Sequence, residues 1–244
     1  MGDIFVITHK DFDMELLNPV YKVVCSEDED VNMENVLKVP RTLSNDGWSE
    51  LAKIWELMQS YEFKDYVGLC HYHRFFKFGE NVPNLEEITK DTYIIGLLVS
   101  NPFLSVRDCY GECHNVEDYD LCMDIVKEMY PDKADDVDFF SKQNVLFASN
   151  CIILNTDDFK SCYGFIFKVL FEWCKRKGID PTKDEDFHKM VEDNIEKYSK
   201  KHKPDDEDFS EQTRVCGFLS ERLMTLWTIF NQKNMELNPI VEHF

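Results

Sequence analysis

Short apolar runs that stop abruptly on polar residues recur along this 244-residue chain, with longer segments of helical period between them. The first covers residues 3–7 and hands over to Thr8-His9-Lys10, as a buried parallel strand does when it meets a loop. Further runs lie at 21–25, 66–70, 92–99 and 144–154, the third of these stopped by Asn101-Pro102. Between them, 46–59 carries Trp48, Leu51, Trp55 and Met58 at helical spacing, with Asn45 or Asp46 available as cap. Residues 114–130 read as a helix capped by Asn115, with Asp118 at its third position. A long helix is expected over 157–177, with acids in its first turn, bases in its last, and Gly178 following. A last helix covers 211–230, and 237–241 closes an edge. Strands alternating with helices predict an α/β fold, and the length suits one domain over 1–244. Within it, 179–210 is expected as a polar surface insertion carrying one amphipathic helix (Phe187, Val191, Ile195, Tyr198).

The hydrophobic share of 43%, a third of it aromatic, is enough for a sizeable core and excludes wholesale disorder. A formal net charge of −20 argues against a nucleic-acid-binding surface and against broad adhesion to anionic membranes. The acids cluster at 27–30, 135–138, 184–186 and 205–208, as in solvated loops and helix faces. Nine cysteines form an odd set in a long chain, which reads as reduced thiols in a cytoplasmic compartment. Cys70, Cys122, Cys151 and Cys162 lie in apolar periodic segments and read as small buried hydrophobes. Cys109-x-x-x-Cys113-His114 lacks the second pair that a zinc site needs. No apolar run approaches the roughly 18 residues required to span a bilayer.

In an open α/β sheet, ligands bind beyond the carboxyl ends of the strands. Thr8-His9-Lys10, His71-Tyr72-His73-Arg74 and Ser149-Asn150 occupy such places. Two imidazoles and a guanidinium within four residues make a local cationic site in an acidic chain, and arginine presents a planar fork to phosphate oxygens. The plainer reading of the same segment is two histidines alternating across a strand end. The glycine-rich phosphate cradles, the G-x-S-x-G elbow and H-E-x-x-H are all missing. Asp118-x-Asp120 and Asp184-x-Asp186 follow no core strand and read as caps or solvated acids rather than metal ligands. Arg214, Glu221 and Arg222 stand in an otherwise apolar helix. Glu221 is either a salt-bridge partner there or a carboxylate facing the cleft.

Four segments then carry a family resemblance: Thr8-His9-Lys10, Gly68-Leu-Cys-His71-Tyr72-x-Arg74-x-Phe76, His114-Asn115-x-Glu117-Asp118 and Arg214-x-x-Gly217-Phe218-Leu219-x-Glu221-Arg222-Leu223. With Glu50-Leu51 and Trp55, they resemble the bacterial and viral glycosyltransferases of capsular and exopolysaccharide synthesis, long carried as a domain of unknown function. The likeness covers nearly the whole chain apart from 179–210. It implies a GT-A-like (Rossmann-like), mixed and mainly parallel sheet flanked by helices. It also implies a nucleotide-sugar donor, with a UDP-sugar favoured, and transfer of a hexose-type unit to a glycan acceptor on a polysaccharide or glycoprotein. Where GT-A enzymes usually hold a divalent ion with an Asp-x-Asp pair, this chain has His71-Tyr72-His73-Arg74, whose cationic groups would neutralise the leaving diphosphate. The family commonly has arginine at the place of His73, and histidine also ligates metals, so Mn²⁺ or Mg²⁺ at His73 is a further expectation.

The implied roles are as follows. Thr8, His9, Lys10, Tyr72, Arg214 and Arg222 bind the donor, and Asn150 bonds to its sugar. His71, His73 and Arg74 act on the leaving group, and Glu221 orients the acceptor or takes its proton. Three other classes compete: a non-catalytic nucleotide-sugar or glycan binding module, a His-based metal-dependent hydrolase, and a protein-interaction domain acting through its acidic surface.

Overall fold

Strands β1 (Asp3–Ile7), β2 (Tyr21–Ser26), β3 (Leu37–Val39) and β4 (Tyr66–His71) form a parallel set in the order β3-β2-β1-β4. From β1 the chain winds outward through β2 and β3. It returns along the helix α2 (Glu50–Ser60) to β4 on the other side of β1. That reversal of winding direction opens a crevice between the ends of β1 and β4. The sheet continues with β9 (Ile152–Asn155), antiparallel to β4, then β6 (Thr92–Ile95), antiparallel to β9, and β10 (Asn234–Leu237), parallel to β6. Off this path, β5 (Arg74–Phe76) hairpins back from β4 and pairs with β11 (Ile240–Glu242). The structure, a computed structural model, describes residues 2–13, 20–76, 78, 85, 92–199, 207–232, 234–237 and 240–242.

The alternation of side chains along a strand explains the two cores. Phe5 and Ile7 of β1, with Val67, Leu69, Ile152 and Leu154, face the larger cluster. This is built with α2, α4 (Val116–Met129), α6 (Thr156–Lys177) and α9 (Val215–Asn231). Ile4 and Val6, with Cys70, Cys151 and Ile153, face a smaller cluster that includes Phe75 and Phe76. The expected α/β class and mainly parallel sheet are observed. All nine cysteines are free thiols, and the four expected in the core are buried there.

Helix α6 starts as its sequence dictates, with Asn155 accepting from the Asp158 N–H. It ends at Gly178 (φ 71°), where a left-handed cap returns N–H groups to the last carbonyls. Asn115 caps α4 as expected. Other expectations need correction. The helix expected over 46–59 is broken: α1 (Asn45–Trp48) is capped by Ser44 and not by Asn45 or Asp46, and Ser49 (φ 54°) separates it from α2. The run 92–99 divides between β6 and β7 (Leu98–Ser100), and the run 144–154 between β8 (Val145–Phe147) and β9; β7 and β8 pair as a separate two-stranded sheet. Two short helices were missed, α3 (Val106–Cys113) and α5 (Ala134–Lys142). Arg214 lies just outside α9, preceded by a 3₁₀ turn over Glu207–Thr213.

The described part of 179–210 is more than a polar surface insertion, because its apolar residues close the core. Phe187 of α7 (Asp184–Glu192) is fully buried against Gly47 of α1, where an added Cβ would lie 2.4 Å from the phenyl ring. Asp184 accepts from Ser44 Oγ (2.5 Å) and from the Asp46 N–H, so it anchors α1 rather than being merely solvated. Tyr198 of α8 (Ile195–Tyr198) donates to Asp118 at 2.6 Å, and Lys177 pairs with the same carboxylate at 2.8 Å. Asp118 is therefore a buried, paired charge and not a solvated cap. The expected single amphipathic helix is two short ones, and Ile195 is exposed. Residues 200–206 lie outside the described set.

Phe187→Ala is expected to destabilise the protein by about 3–5 kcal/mol through the cavity it leaves between α1 and α7. Urea unfolding midpoints of the variant and wild type measure it, and an unchanged midpoint would mean that α7 is not part of the core.

Candidate functional site

The loops after β1 and β4 and before β9 emerge at one edge of the sheet, because β9 runs antiparallel to β4. They floor a cleft of about 970 Å³, walled by α9, α1 and the 3₁₀ turn. Nine of the eleven residues singled out in the sequence line it: Thr8, His9, His71, Tyr72, His73, Arg74, Arg214, Glu221 and Arg222. The segment expected as a strand end is a hairpin corner: His71 of β4 pairs with Arg74 of β5 and Tyr72-His73 form the turn, so the cluster is folded back on itself.

The organising residue is Ser149, which the sequence placed on a strand and the structure places in the turn before β9. Ser149 (φ 69°) and Asn150 (φ 49°) are consecutive left-handed residues, a conformation L side chains adopt at a cost of order 1–3 kcal/mol. That backbone turns three groups of Ser149 to three partners. Its carbonyl accepts from His71 Nε2 (2.7 Å), its hydroxyl accepts from Arg74 Nη1 (3.1 Å), and its N–H donates to Glu221 Oε1 (2.6 Å). A carbonyl only accepts, so Nε2 carries the His71 proton. Asn150 lies beneath the floor, 1% exposed, and its amide donates to Glu50 Oε1 (2.7 Å) and Ser220 Oγ (2.8 Å). Its expected bond to a donor sugar is thus replaced by internal bonds that position Glu50. Lys10 does not line the cleft; its ammonium lies over the Tyr72 ring, 5.0 Å from the centroid, and its N–H bonds to Thr8 Oγ1.

The helical spacing of Arg214, Phe218, Glu221 and Arg222 puts all four on the cleft side of α9. Arg214 donates to Ser49 Oγ (2.7 Å), in the strained joint between α1 and α2, and its guanidinium is 4.0 Å from Glu50. Arg222 pairs with Glu221 Oε2 (2.8 Å) and lies over the Tyr110 ring. Both sequence readings of Glu221 therefore hold geometrically: it is a salt-bridge partner and a cleft carboxylate. Lys53, paired with Glu29 at 2.7 Å, adds a further cation to the lining.

Burial lowers the pKa of His71, against the opposing pull of Glu50 and of the Ser149 carbonyl. Burial, followed by Lys53, lowers that of His9. The two carboxyls diverge. Burial raises Glu221 against the attraction of Arg222 and the Ser149 N–H. Burial would raise Glu50 as well, but His71, Ser49, Asn150 and Arg214 outweigh it and leave the pKa lowered. Such a split is how neighbouring carboxyls take different protonation roles.

A divalent ion needs several converging donors. No three His, Cys, Asp or Glu side chains converge in this way among the described residues. His71 Nε2 and both oxygens of Glu221 are already engaged. The donor set does not fit a metal at His73, nor do Cys109, Cys113 and His114 form a zinc group.

The residues that sequence reasoning left without a role are Ser49, Glu50, Lys53, Asp46, His188, His114 and Phe218, all of which line the cleft. Glu50, His114 and Phe218 stood within the motifs already quoted. Nothing in the local pattern marked Ser49, Asp46 or His188.

A family model described as a domain of unknown function, DUF4422, matches residues 3–233. The chain belongs to the DUF4422 family. No curated protein matches the sequence. The apo structure of WbbM, a bifunctional glycosyltransferase, is similar to this DUF4422 chain with a TM-score of 0.69 at 18% identity. The likeness covers 99% of this chain and 45% of WbbM, so the chain spans less than half the length of that protein. It shows a shared Rossmann-like fold. No helix among the described residues is long and apolar enough to cross a membrane.

The lowered His71 pKa has a testable sign. The unfolded chain binds a proton at His71 more readily than the folded one, so stability falls as pH drops through about 6.5. Between about pH 7.5 and 5.5 the thermal midpoint of wild type should fall more than that of His71→Gln. His9 shifts in the same direction, so the variant keeps a shallower slope. Equal slopes would show that His71 titrates normally.

Proposed function

We propose that this chain is a hexosyltransferase-type glycosyltransferase, moving a sugar from a nucleotide donor, with a UDP-sugar favoured, to a glycan acceptor in polysaccharide biosynthesis. The observation that carries the reading is the hairpin corner 71–74, where the Arg74 guanidinium and the His71 ring are both bonded to Ser149, opening on the cleft beyond the ends of β1 and β4. Phosphate groups suit such a corner because its donors are held in place before the ligand arrives. The fold shared with a glycosyltransferase is consistent with it.

In this reading the nucleotide lies along Thr8, His9 and Tyr72, and the diphosphate faces His73, Arg74 and Arg214, while His71, whose one N–H is given to the Ser149 carbonyl, holds the corner in place. As the bond from the anomeric carbon to the diphosphate oxygen breaks, these groups stabilise the charge that develops on the oxygen. The acceptor hydroxyl attacks the anomeric carbon and gives up its proton, for which Glu221, with its raised pKa, is the acceptor group. Glu50, with its lowered pKa, stays ionised and holds Arg214 and Asn150. The charge on the leaving group is assigned to the side chains of the chain itself.

One observation favours a second reading, a binding module without turnover: both Glu221 oxygens are occupied by the Ser149 N–H and by Arg222. A thermal-shift screen of nucleotide sugars with and without Mn²⁺, followed by turnover of the ligands found, separates the two. The proposal expects stabilisation by a nucleotide sugar with little added by Mn²⁺, and measurable turnover. Arg74→Ala should then lower kcat by about 10²–10³-fold. Undiminished turnover in that variant would remove the leaving-group role, and tight binding without turnover would favour the module.

A further inference from the structure

The wall of the cleft opposite the sheet carries features that the diphosphate reading does not use. Phe218, half-buried, stands one turn before Glu221 on α9, so the two side chains share a face. Its ring is stacked on His114, with centroids 4.1 Å apart and planes 25° from parallel. His114, at the end of α3, is held by its Nδ1–H donating to Oε1 of the buried Gln212 at 3.2 Å. This pair makes a flat face lining the cleft beside the carboxylate assigned to the acceptor proton. His71 and Arg74 are tied to Ser149, whose N–H bonds to Glu221, so the flat face and the 71–74 corner flank the same carboxylate.

At the rim, Asp46 of α1 and His188 of α7 form a 2.7 Å pair, each about two-fifths exposed (41% and 43%) and each lining the cleft. A carboxylate and an imidazole so placed bond readily to sugar hydroxyls, whereas an anionic group brought beside Asp46 would be repelled. A pyranose ring has the matching chemistry, an apolar C–H face for the aromatic wall and hydroxyls for the rim.

We propose that the Phe218–His114 wall is the acceptor subsite and that it takes the ring of a neutral sugar, in preference to a uronic acid or a phosphorylated one. The inference rests on the glycosyl-transfer reading for its name, acceptor, but its chemistry can be tested separately. In saturation-transfer NMR, methyl β-D-galactopyranoside should bind wild type through its ring protons, and methyl β-D-glucuronide should bind more weakly. Phe218→Leu should weaken the galactoside about five- to tenfold, and Phe218→Tyr should restore it, with UDP binding unchanged in both. Asp46→Asn should narrow the gap between galactoside and glucuronide.

A Phe218→Leu variant that loses UDP but keeps the galactoside would overturn the proposal and assign the wall to the nucleobase. Equal binding of the two glycosides by wild type, or no binding of either, would also overturn it. If UDP fails to bind wild type while galactoside binding still depends on Phe218, the transfer reading falls and the sugar-binding wall stands.

Discussion

The left-handed pair Ser149-Asn150 is the constraint on which the site depends. One strained turn between β8 and β9 supplies a carbonyl to His71, a hydroxyl to Arg74 and an N–H to Glu221, and it directs Asn150 down to Glu50 and Ser220. Parts of the site that come from β4, β5, α2 and α9 are thereby referred to a single backbone segment. No glycine is present there to relax the strain, so the surrounding bonds must hold the turn in place. Another residue at positive φ, Ser49, accepts a hydrogen bond from Arg214 through its hydroxyl.

Electrostatics explains how an acidic protein keeps a local group of cations at one cleft. Against a net charge of −20, Arg74, Arg214, Arg222 and Lys53 meet around one cleft. Within it, burial acts on His9, His71, Glu50 and Glu221, and for the two carboxyls the neighbours decide the outcome. Glu50 has enough donors to remain low, whereas Glu221 is left high. Arg74 and Arg214 bond to serine hydroxyls, Lys53 and Arg222 to carboxylates, and Arg222 also to the Phe218 carbonyl, which orients all four.

Legibility differed between fold and site for physical reasons. Alternating apolar runs and helix caps are local properties, so the α/β class, α4, α6 and the strands β1, β2 and β4 could be read directly. The runs 92–99 and 144–154 were read as single strands because apolar residues are nearly continuous along them, whereas the chain turns at Gly96 and at Ser149 to pass between the two sheets. Segment 179–210 looked like a surface insertion because its composition is polar. Its few apolar residues, Phe187 and Tyr198 above all, are placed at positions where they fill the core.

By itself the sequence determined the class of fold, the cationic segment His71–Arg74 and the apolar helix bearing Arg214, Glu221 and Arg222, since these depend on neighbours a few residues apart. Tertiary structure alone decided that 71–74 is a hairpin corner, that Asn150 is a buried support for Glu50, and that Asp46 and His188, 142 residues apart, meet at 2.7 Å. The reason is the same in each case. A side chain's chemistry is written in its residue type, but the partner that orients it and shifts its pKa comes from another element, brought near only by the winding of the sheet.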